Sequence, residues 1–247
     1  MSESATQLKP WRAWMTEHRF FVLLCTLVIV ILGSPITKVL RTPSFFARLL
    51  ILGYLFFMLL GAVFAISHLK RQLIIAALLS VPAAILQAAD VFIKNDQVRA
   101  WGDVLMIVLL GYVIALIIKA LFQQRRITSD MICASLCAYL LIGICWAYVY
   151  SVVEIWQPGA FNISDAHKDV VASLNVTGEY AGFAMYYSFV TLTTLGYGDV
   201  FPVTAVARVC SQSEAVFGQI YLAVLVARLV GLHISQTLGA ENVKRSP

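Results

Sequence analysis

Six long apolar runs constrain this chain more than any other feature of its sequence. An α-helix needs about 20 mostly apolar residues to cross the hydrocarbon core of a bilayer. Runs of about that length lie at 20–39, 45–67, 73–93, 104–122, 131–153 and 203–235. Only 13% of the residues are charged, against about a quarter in a soluble domain. The sequence therefore predicts an all-α membrane protein with six transmembrane helices, and it argues against a soluble enzyme, a secreted disulfide scaffold and a disordered regulator.

The basic residues lie mostly at the ends of these runs, so they indicate a membrane orientation and not a nucleic-acid surface, although the formal net charge is +5. Membrane proteins keep an excess of Lys and Arg in their cytoplasmic loops. With the N-terminus inside, the cytoplasmic flanks hold Lys9, Arg12, Arg19, Lys70, Arg71, Arg125, Arg126, Lys244 and Arg245, and the opposite side holds Lys38, Arg41, Lys94, Arg99 and Lys168. This asymmetry predicts a multi-pass protein of the plasma or inner membrane with both termini cytoplasmic, surrounded by lipid and without a nucleic-acid partner.

The outer side collects carboxylates, namely Asp96, Asp103, Glu154, Asp165, Asp169, Glu179 and Asp199. The linker 94–103 has the composition of a polar loop. Segment 154–179 contains a Pro-Gly pair and little periodicity, which favours an exposed turret. We expect carboxylates in these segments to raise the local concentration of cations modestly.

The stretch between the turret and the last apolar run does not fit a simple spanning pattern. Residues 180–193 are apolar and aromatic but too few to cross a bilayer, which is typical of a re-entrant helix. Irregular backbone at membrane depth is tolerated only where protein buries it or where it lines a water-filled cavity. The residues that follow this short helix therefore carry most of the information about function.

The short helix runs directly into the sequence Thr-Thr-Leu-Gly-Tyr-Gly-Asp at 193–199. Successive carbonyls of an ordinary strand point in opposite directions, so a row of carbonyls facing one axis needs residues with positive φ in alternation. Glycine reaches that region without a steric penalty, and Gly196 and Gly198 are spaced by one residue. Such a row can replace the hydration shell of a cation.

Residues 186–199, together with Phe201-Pro202-Val203-Thr204, resemble the pore helix and filter of tetrameric potassium channels. The resemblance runs without a gap from about residue 181 to Gly231, about a fifth of the chain. Leu195, where the family motif has Val, is the departure within the filter. The resemblance implies an extended selectivity filter behind a re-entrant pore helix, with K⁺ as the permeant ion and no other cofactor.

The resemblance also implies residue roles. Carbonyls of the filter would form the K⁺ sites together with the Thr194 hydroxyl, so the expected ion-binding residues are Thr194, Leu195, Gly196, Tyr197 and Gly198. Tyr186 and Tyr187 stand where the family has aromatic residues that brace the filter, and Asp199 would anchor its outer end. Some members carry a glutamate partner for that aspartate in the pore helix, and Val190 occupies the position here. One chain supplies one filter strand, so the expected functional unit is a homotetramer with three further copies of this chain.

The expected domains follow from this layout. They are a cytoplasmic N-terminal segment 1–19, a four-helix scaffold 20–122 that resembles a voltage sensor, a pore domain 130–236 and a short cytoplasmic tail 237–247. A voltage sensor needs arginines at every third position of its fourth helix, whereas run 104–122 carries only Lys119. We therefore expect a channel without steep voltage gating.

The last run contains a polar stretch with Glu214, which is costly at membrane depth unless it is neutral, paired or solvated. We expect Glu214 either to support the filter through the pore helix or a neighbouring copy, or to face a solvated cavity. The family register makes Gly218 a hinge, and it places a cavity-lining stripe with a possible apolar gate at Gln219, Leu222, Val226 and Val230. Ordinary helix packing is the alternative for that stripe.

Other functions fit the sequence less well. A weakly selective cation channel would need a changed filter layer, and a transporter should show inverted repeats with paired broken helices. A membrane scaffold without transport would not need the filter motif. Asp90 and Glu214 are the only carboxylates within the apolar runs, so no cluster suited to catalysis is predicted. Asp90 is read either as a partner of Lys94 or Arg99, or as an ion site.

Overall fold

The computed structural model describes residues 19–39, 70–93, 95–124, 128–163 and 181–245. These ranges form six helices and two strands in the order α1 (Arg19–Val39), α2 (Lys70–Ile93), α3 (Asp96–Gln123), α4 (Ser129–Trp156), β1 (Phe161–Ile163), α5 (Ala181–Leu192), β2 (Val200–Pro202) and α6 (Ala205–Arg245). The expected span 45–67, most of the N-terminal segment and the second half of the turret lie outside the described residues.

The helical membrane character is confirmed. Within the described ranges, α3, α4 and α6 are long and apolar enough to cross a membrane. Shorter apolar stretches occupy Phe20–Ile29 in α1, Ile74–Asp90 in α2 and Phe183–Leu192 in α5. Six spans therefore remain a prediction. The all-α description needs one amendment, because β1 and β2 form a small antiparallel sheet.

Helix α3 begins earlier than the sequence pattern suggested. Asn95 caps it, since its side-chain oxygen accepts a hydrogen bond from the Gln97 backbone N–H at 2.9 Å, and the helix continues from Asp96. Most of the short polar interruption 94–103 between the apolar runs is thus helical. Asparagine is a strong N-cap because its side chain satisfies a backbone donor of the first helical turn.

The early start of α3 places Asp103 inside the helix bundle, where it is 4% exposed. Its two oxygens accept hydrogen bonds from Gln87 Nε2 of α2 at 2.9 Å and from Ser151 Oγ of α4 at 2.7 Å. Asp103 is therefore not one of the solvated outer carboxylates, and it joins Asp90 and Glu214 as a carboxylate within the helices. It links three helices through polar contacts.

The beginning of the expected turret is also ordered and partly buried. Glu154, in the last turn of α4, is 8% exposed. Its carboxylate accepts hydrogen bonds from the backbone N–H groups of Gly159 at 2.8 Å and Phe161 at 3.1 Å. The expectation that Glu154 is an exposed turret carboxylate is wrong, because it satisfies the backbone of the turn that leads into β1.

Strand β1 pairs with β2 in antiparallel register, with Phe161 opposite Pro202 and Ile163 opposite Val200. The pairing continues on one side, where the Val203 N–H donates to the Ala160 carbonyl at 2.8 Å. The sheet therefore joins the end of α4 to the residues that follow Asp199.

Helix α4 lies at the centre of the described bundle and packs against α1, α3, α5 and α6. The core it shares with α1 and α3 includes Leu27, Leu110, Val113, Cys137 and Leu141, each fully buried. In a bilayer the lipid tails are as apolar as these side chains, so close packing and not hydrophobic transfer holds such helices together.

Helix α6 runs without interruption through 41 residues, which corresponds to a length of about 60 Å at 1.5 Å per residue. This is twice the thickness of the hydrocarbon core, about 30 Å. Residues 237–245, expected as a separate tail, prolong α6. The helix therefore extends beyond the apolar run 203–235.

Candidate functional site

The short helix α5 ends in a tight turn that reverses the chain. The backbone N–H groups of Leu195 and Gly196 both donate to the carbonyl of Val190, at 2.9 and 3.3 Å, and the Thr194 N–H donates to Thr191 at 2.9 Å. The last carbonyls of a helix have no partner within the helix. Here the turn satisfies part of them, and the chain leaves the end of α5 in an extended path.

Positive φ angles alternate along that path. Thr194, Gly196 and Gly198 have φ angles of 58°, 57° and 75°, whereas Leu195 and Tyr197 between them do not lie in this region. Alternation of this kind lets successive carbonyls face one side of the strand. The sequence pattern predicted positive φ at the two glycines but not at Thr194. A β-branched residue rarely adopts positive φ, and it does so only where the surrounding structure holds it there.

Residues 193–198 are all exposed in the single chain. Leu195 and Tyr197 expose 55% and 67% of their surface. The hydroxyl of Thr194 donates to the carbonyl of Thr193 at 2.7 Å. The expected ion-binding residues thus form one continuous segment that is exposed in the single chain.

The outer end of this segment is tied to α5. The Tyr186 hydroxyl donates to Asp199 Oδ2 at 2.5 Å, and Asp199 Oδ1 accepts a hydrogen bond from the Val200 N–H at 3.0 Å. Val190, at the position where some potassium channels carry a glutamate, is 8% exposed and offers no carboxyl group. Tyr186 is therefore the side chain from α5 that holds Asp199.

Tyr187 connects α5 to three other elements. Its hydroxyl lies 2.7 Å from Ser211 Oγ of α6. Its ring packs edge-on against Tyr150 of α4 and Phe161 of β1, with centroid separations of 5.0 and 5.1 Å. This aromatic cluster joins α4, α5, α6 and the small sheet behind the segment 194–198.

Glu214 lies in the same region and is completely buried. One carboxyl oxygen accepts a hydrogen bond from the Tyr150 hydroxyl, and the other lies 2.5 Å from Ser188 Oγ of α5. Glu214 therefore contacts α5, the helix through which it was expected from the sequence to support the filter, and that support remains a prediction. The structure thus connects α4, α5 and α6 through a single carboxyl group.

Counting hydrogens indicates the protonation state of Glu214. Ser188 Oγ lies 2.5 Å from Glu214 Oε1 and also 2.7 Å from the Gly143 carbonyl oxygen. The Tyr150 hydroxyl makes a third contact, with Glu214. Each of the three oxygen–oxygen contacts needs one hydrogen, but the hydroxyls of Tyr150 and Ser188 supply only two. A proton on the carboxyl group completes the set, and a neutral carboxyl also avoids the cost of burying an isolated charge.

Sequence reasoning missed several residues of α4 that contact α5. The Tyr139 hydroxyl donates to the Leu192 carbonyl at 3.2 Å, and a Cβ on Gly143 would lie 2.8 Å from the Phe189 ring. Tyr139, Gly143 and Tyr150 are spaced by four and seven residues, which places them on one face of a helix. The sequence signal for these contacts was the position of Tyr139 and Tyr150 on the helix face that also carries Gly143.

Gly218 has a packing reason that is independent of a hinge. A Cβ at this position would lie 2.7 Å from the Leu192 carbonyl oxygen and 2.9 Å from its Cδ1. Helix α6 shows no interruption there. The close approach of α6 to the end of α5 therefore requires a residue without a side chain, and a hinge at Gly218 remains a prediction.

This contact leads to a test of Gly218 by substitution. We expect Gly218→Ala to lower the thermal stability of the purified protein, because overpacking costs about 1–3 kcal/mol and the clash is with backbone. Gly231→Ala is the matched control on the same helix, since a Cβ there meets nothing within 4 Å. Unfolding temperatures in detergent give the comparison. Unchanged stability of Gly218→Ala together with altered gating would instead support the hinge.

The predicted gate residues follow Gly218 along α6. Gln219 is exposed and Leu222 is half-buried, while Val226 and Val230 expose 58% and 53% of their surface. Three of these four residues are thus exposed in the single chain, and Leu222 is partly covered. The gate role stays a prediction.

Residues 138–233, which include α5, the segment 194–198 and most of α6, match a family described as an ion channel. Protein LctB of Bacillus caldotenax is 30% identical over 133 residues, which are 53% of this chain and 93% of that protein.

Proposed function

The chain belongs to the pore-loop ion channel family, and from that premise we propose that it is a potassium-selective channel with residues 194–198 as its filter. Membership points to ion transport through a membrane and not to catalysis. The observation that supports selectivity is the alternation of positive φ at Thr194, Gly196 and Gly198. A strand with this alternation can present a row of carbonyls that replaces the hydration shell of K⁺.

The proposed functional unit is a homotetramer. Channels of this kind generally assemble as oligomers, and a closed ring of filter strands needs more than one copy. Residues 193–198 are exposed in the single chain, although irregular backbone at membrane depth must be buried by protein or line a water-filled path. Four copies around one axis would provide that path, and the C-terminal ends of four α5 helices would direct partial negative charge toward it.

The proposed channel is not steeply voltage-gated. Voltage sensing requires several charges that cross the membrane field, each contributing about 2.3 kcal/mol per 100 mV. Between Asp103 and the end of α3, the chain carries one basic residue, Lys119, which is exposed. We place the protein in the plasma or inner membrane with both termini in the cytoplasm, on the distribution of its Lys and Arg residues.

The reversal potential in planar bilayers tests selectivity directly. With K⁺ on one side and Na⁺ on the other, we expect current through the purified full chain to reverse near the K⁺ Nernst potential. A second measurement, calorimetric titration of K⁺ and Na⁺ into the protein, reports filter binding even when a gate is closed. We expect heat from K⁺ binding at concentrations where Na⁺ produces none.

Leu195→Val is the matched variant, because it restores the residue of the family motif. Equal selectivity of both proteins is the expected result. A wild-type reversal potential near zero with measurable current would contradict potassium selectivity and favour a weakly selective cation channel. Recovery of selectivity in Leu195→Val would then identify Leu195 as the cause.

A further inference from the structure

A second buried carboxyl group, that of Asp103, links the predicted scaffold to the predicted pore domain. It is 4% exposed, and it accepts hydrogen bonds from Gln87 Nε2 of α2 at 2.9 Å and from Ser151 Oγ of α4 at 2.7 Å. Helices α2 and α3 belong to the predicted scaffold 20–122, whereas α4 belongs to the predicted pore domain 130–236. The hydrogen bond from Ser151 therefore crosses the boundary between these two predicted domains.

Helices α2 and α3 approach each other closely beside Asp103. A Cβ on the preceding residue, Gly102, would lie 3.4 Å from Leu86 Cβ and 3.6 Å from the Gln87 backbone nitrogen. The packing of the two helices therefore holds Gln87 next to Asp103. One carboxyl oxygen of Asp103 is thus bound within the scaffold, and the other is bound by α4.

Ser151 is followed around the axis of α4 by Tyr150, and the two side chains contact different helices. Successive residues of an α-helix are about 100° apart around its axis. Ser151, which is 3% exposed, meets Asp103 of α3, whereas the completely buried Tyr150 meets Glu214 of α6. Glu214 in turn lies 2.5 Å from Ser188 of α5. One turn of α4 thus contacts the scaffold on one side and the helices behind the proposed filter on another.

In a bilayer, a buried polar contact adds orientation to the apolar packing of a helix. Lipid is as apolar as the helix surface, so the rotation of an apolar helix costs no hydrophobic transfer energy. Rotation of α4 would instead separate the Asp103 carboxyl from the Ser151 donor, and a buried acceptor without its partner is costly. A buried polar residue fixes the register of helices in some coiled coils for this reason.

We propose that Asp103 is a positioning residue for the filter. Through Ser151 it fixes the rotation of α4, and this rotation places the Tyr150 hydroxyl at Glu214. A rotation of α4 by about 20° would move a side-chain atom about 5–6 Å from the helix axis by about 2 Å, which is enough to break the hydrogen bond between Tyr150 and Glu214. The inference rests on the proposed function, in which residues 194–198 are the filter.

Unfolding temperatures of the purified full chain in detergent test whether the two contacts are linked. Asp103→Ala removes the contact with Ser151, Tyr150→Phe removes the hydroxyl that meets Glu214, and the double variant removes both. Independent contacts would lower the unfolding temperature by amounts that add. We expect the double variant to unfold at nearly the temperature of Asp103→Ala, because loss of Asp103 already separates Tyr150 from Glu214. Additive decreases would overturn the proposal, and Ser151→Ala replaces Asp103→Ala in the comparison if the latter does not fold.

The ratio of K⁺ to Na⁺ permeability distinguishes positioning of the filter from a purely structural role. We expect Ser151→Ala to lower this ratio about fivefold, which corresponds to the net contribution of one hydrogen bond, about 1 kcal/mol. Ser135→Ala is the matched control, because Ser135 is 1% exposed on the same helix and its hydroxyl donates to the Ile132 carbonyl of that helix at 2.7 Å. An unchanged ratio in Ser151→Ala, or an equal fall in both variants, would overturn the proposal.

Asp103→Asn is the conservative variant. Its amide oxygen can accept from Gln87 and its amide N–H can donate to Ser151, so we expect the unfolding temperature and the permeability ratio of the wild type. Loss of selectivity in Asp103→Asn would contradict the proposal, since the charge and not the contact would then be required. A wild-type protein that does not discriminate between K⁺ and Na⁺ would overturn the proposed function, and the unfolding temperatures would still decide whether Asp103 positions α4.

Discussion

Replacement of Gly198 by alanine is expected to abolish potassium-selective current while most of the protein still folds. Gly198 has a φ of 75°, a region that costs a residue with a Cβ roughly 1–2 kcal/mol. Relaxing this strain would rotate the adjacent peptide units and turn carbonyls away from the path of the ion. In the proposed ring of four, the cost occurs four times at one constriction. Reversal potentials and K⁺ titration of the variant give the measurement.

Gly159→Ala is the matched control for this experiment. Gly159 also has a positive φ, 83°, and a Cβ there likewise meets nothing within 4 Å. It lies in the turn between α4 and β1, outside the proposed filter. We expect a similar small loss of stability and unchanged selectivity. Selective current in Gly198→Ala would mean that residues 194–198 do not form the filter.

The second large effect is expected at Glu214. Glu214→Ala removes the partner of the Tyr150 and Ser188 hydroxyls in a site without solvent access, and it leaves a cavity between α4, α5 and α6. Each unsatisfied buried group costs about 1–3 kcal/mol, and the cavity adds to that cost. We expect a lower unfolding temperature and a loss of K⁺ over Na⁺ discrimination, because α5 is no longer held in place.

Glu214→Gln separates a neutral carboxyl group from an ionised one. An amide offers an oxygen to Tyr150 and an N–H to Ser188, so it reproduces the hydrogen count of the protonated acid. We therefore expect the Gln variant to retain stability, current and selectivity. Damage as severe as in Glu214→Ala would show that a charged carboxylate is required, contrary to the hydrogen count. Ser213→Ala is the control, since its hydroxyl donates only to Val209 of its own helix.

Glu214 and Gly218 both connect α6 to α5. They lie four residues apart on α6, and each contacts α5, through Ser188 and through the end of the helix at Leu192. Two side chains of α5 add further contacts, because Tyr186 is hydrogen-bonded to Asp199 and Tyr187 to Ser211 of α6. Because α5 positions residues 194–198, a displacement of α6 would reach the proposed filter through these contacts. Helix α6 thus carries the predicted gate and also contacts α5, which positions the proposed filter.

Features that depend on local rules could be predicted from the amino-acid sequence. In a bilayer, the backbone hydrogen bonds of each spanning helix are made within that helix. Each long apolar run can therefore be recognised independently, as for α3, α4 and α6. The conformation at Gly196 and Gly198 is likewise local, because glycine is the residue that adopts positive φ without strain. The resemblance of residues 186–204 to potassium channels predicted the channel family, and the comparisons confirmed membership of the pore-loop ion channel family.

Contacts between polar residues of different helices depend on how the helices pack, and they could not be predicted from the sequence. The sequence did not reveal that Asp103 contacts α2 and α4, that Glu154 caps a turn, or that Tyr150 and Ser188 meet at Glu214. These contacts could not be predicted because the helices are surrounded by lipid and not by water. In water an apolar stripe marks the face of a helix that turns inward, but lipid is as apolar as a protein core. Packing between helices therefore determines which side of each helix faces its neighbours. It also determines the contacts among α4, α5 and α6 that surround Glu214.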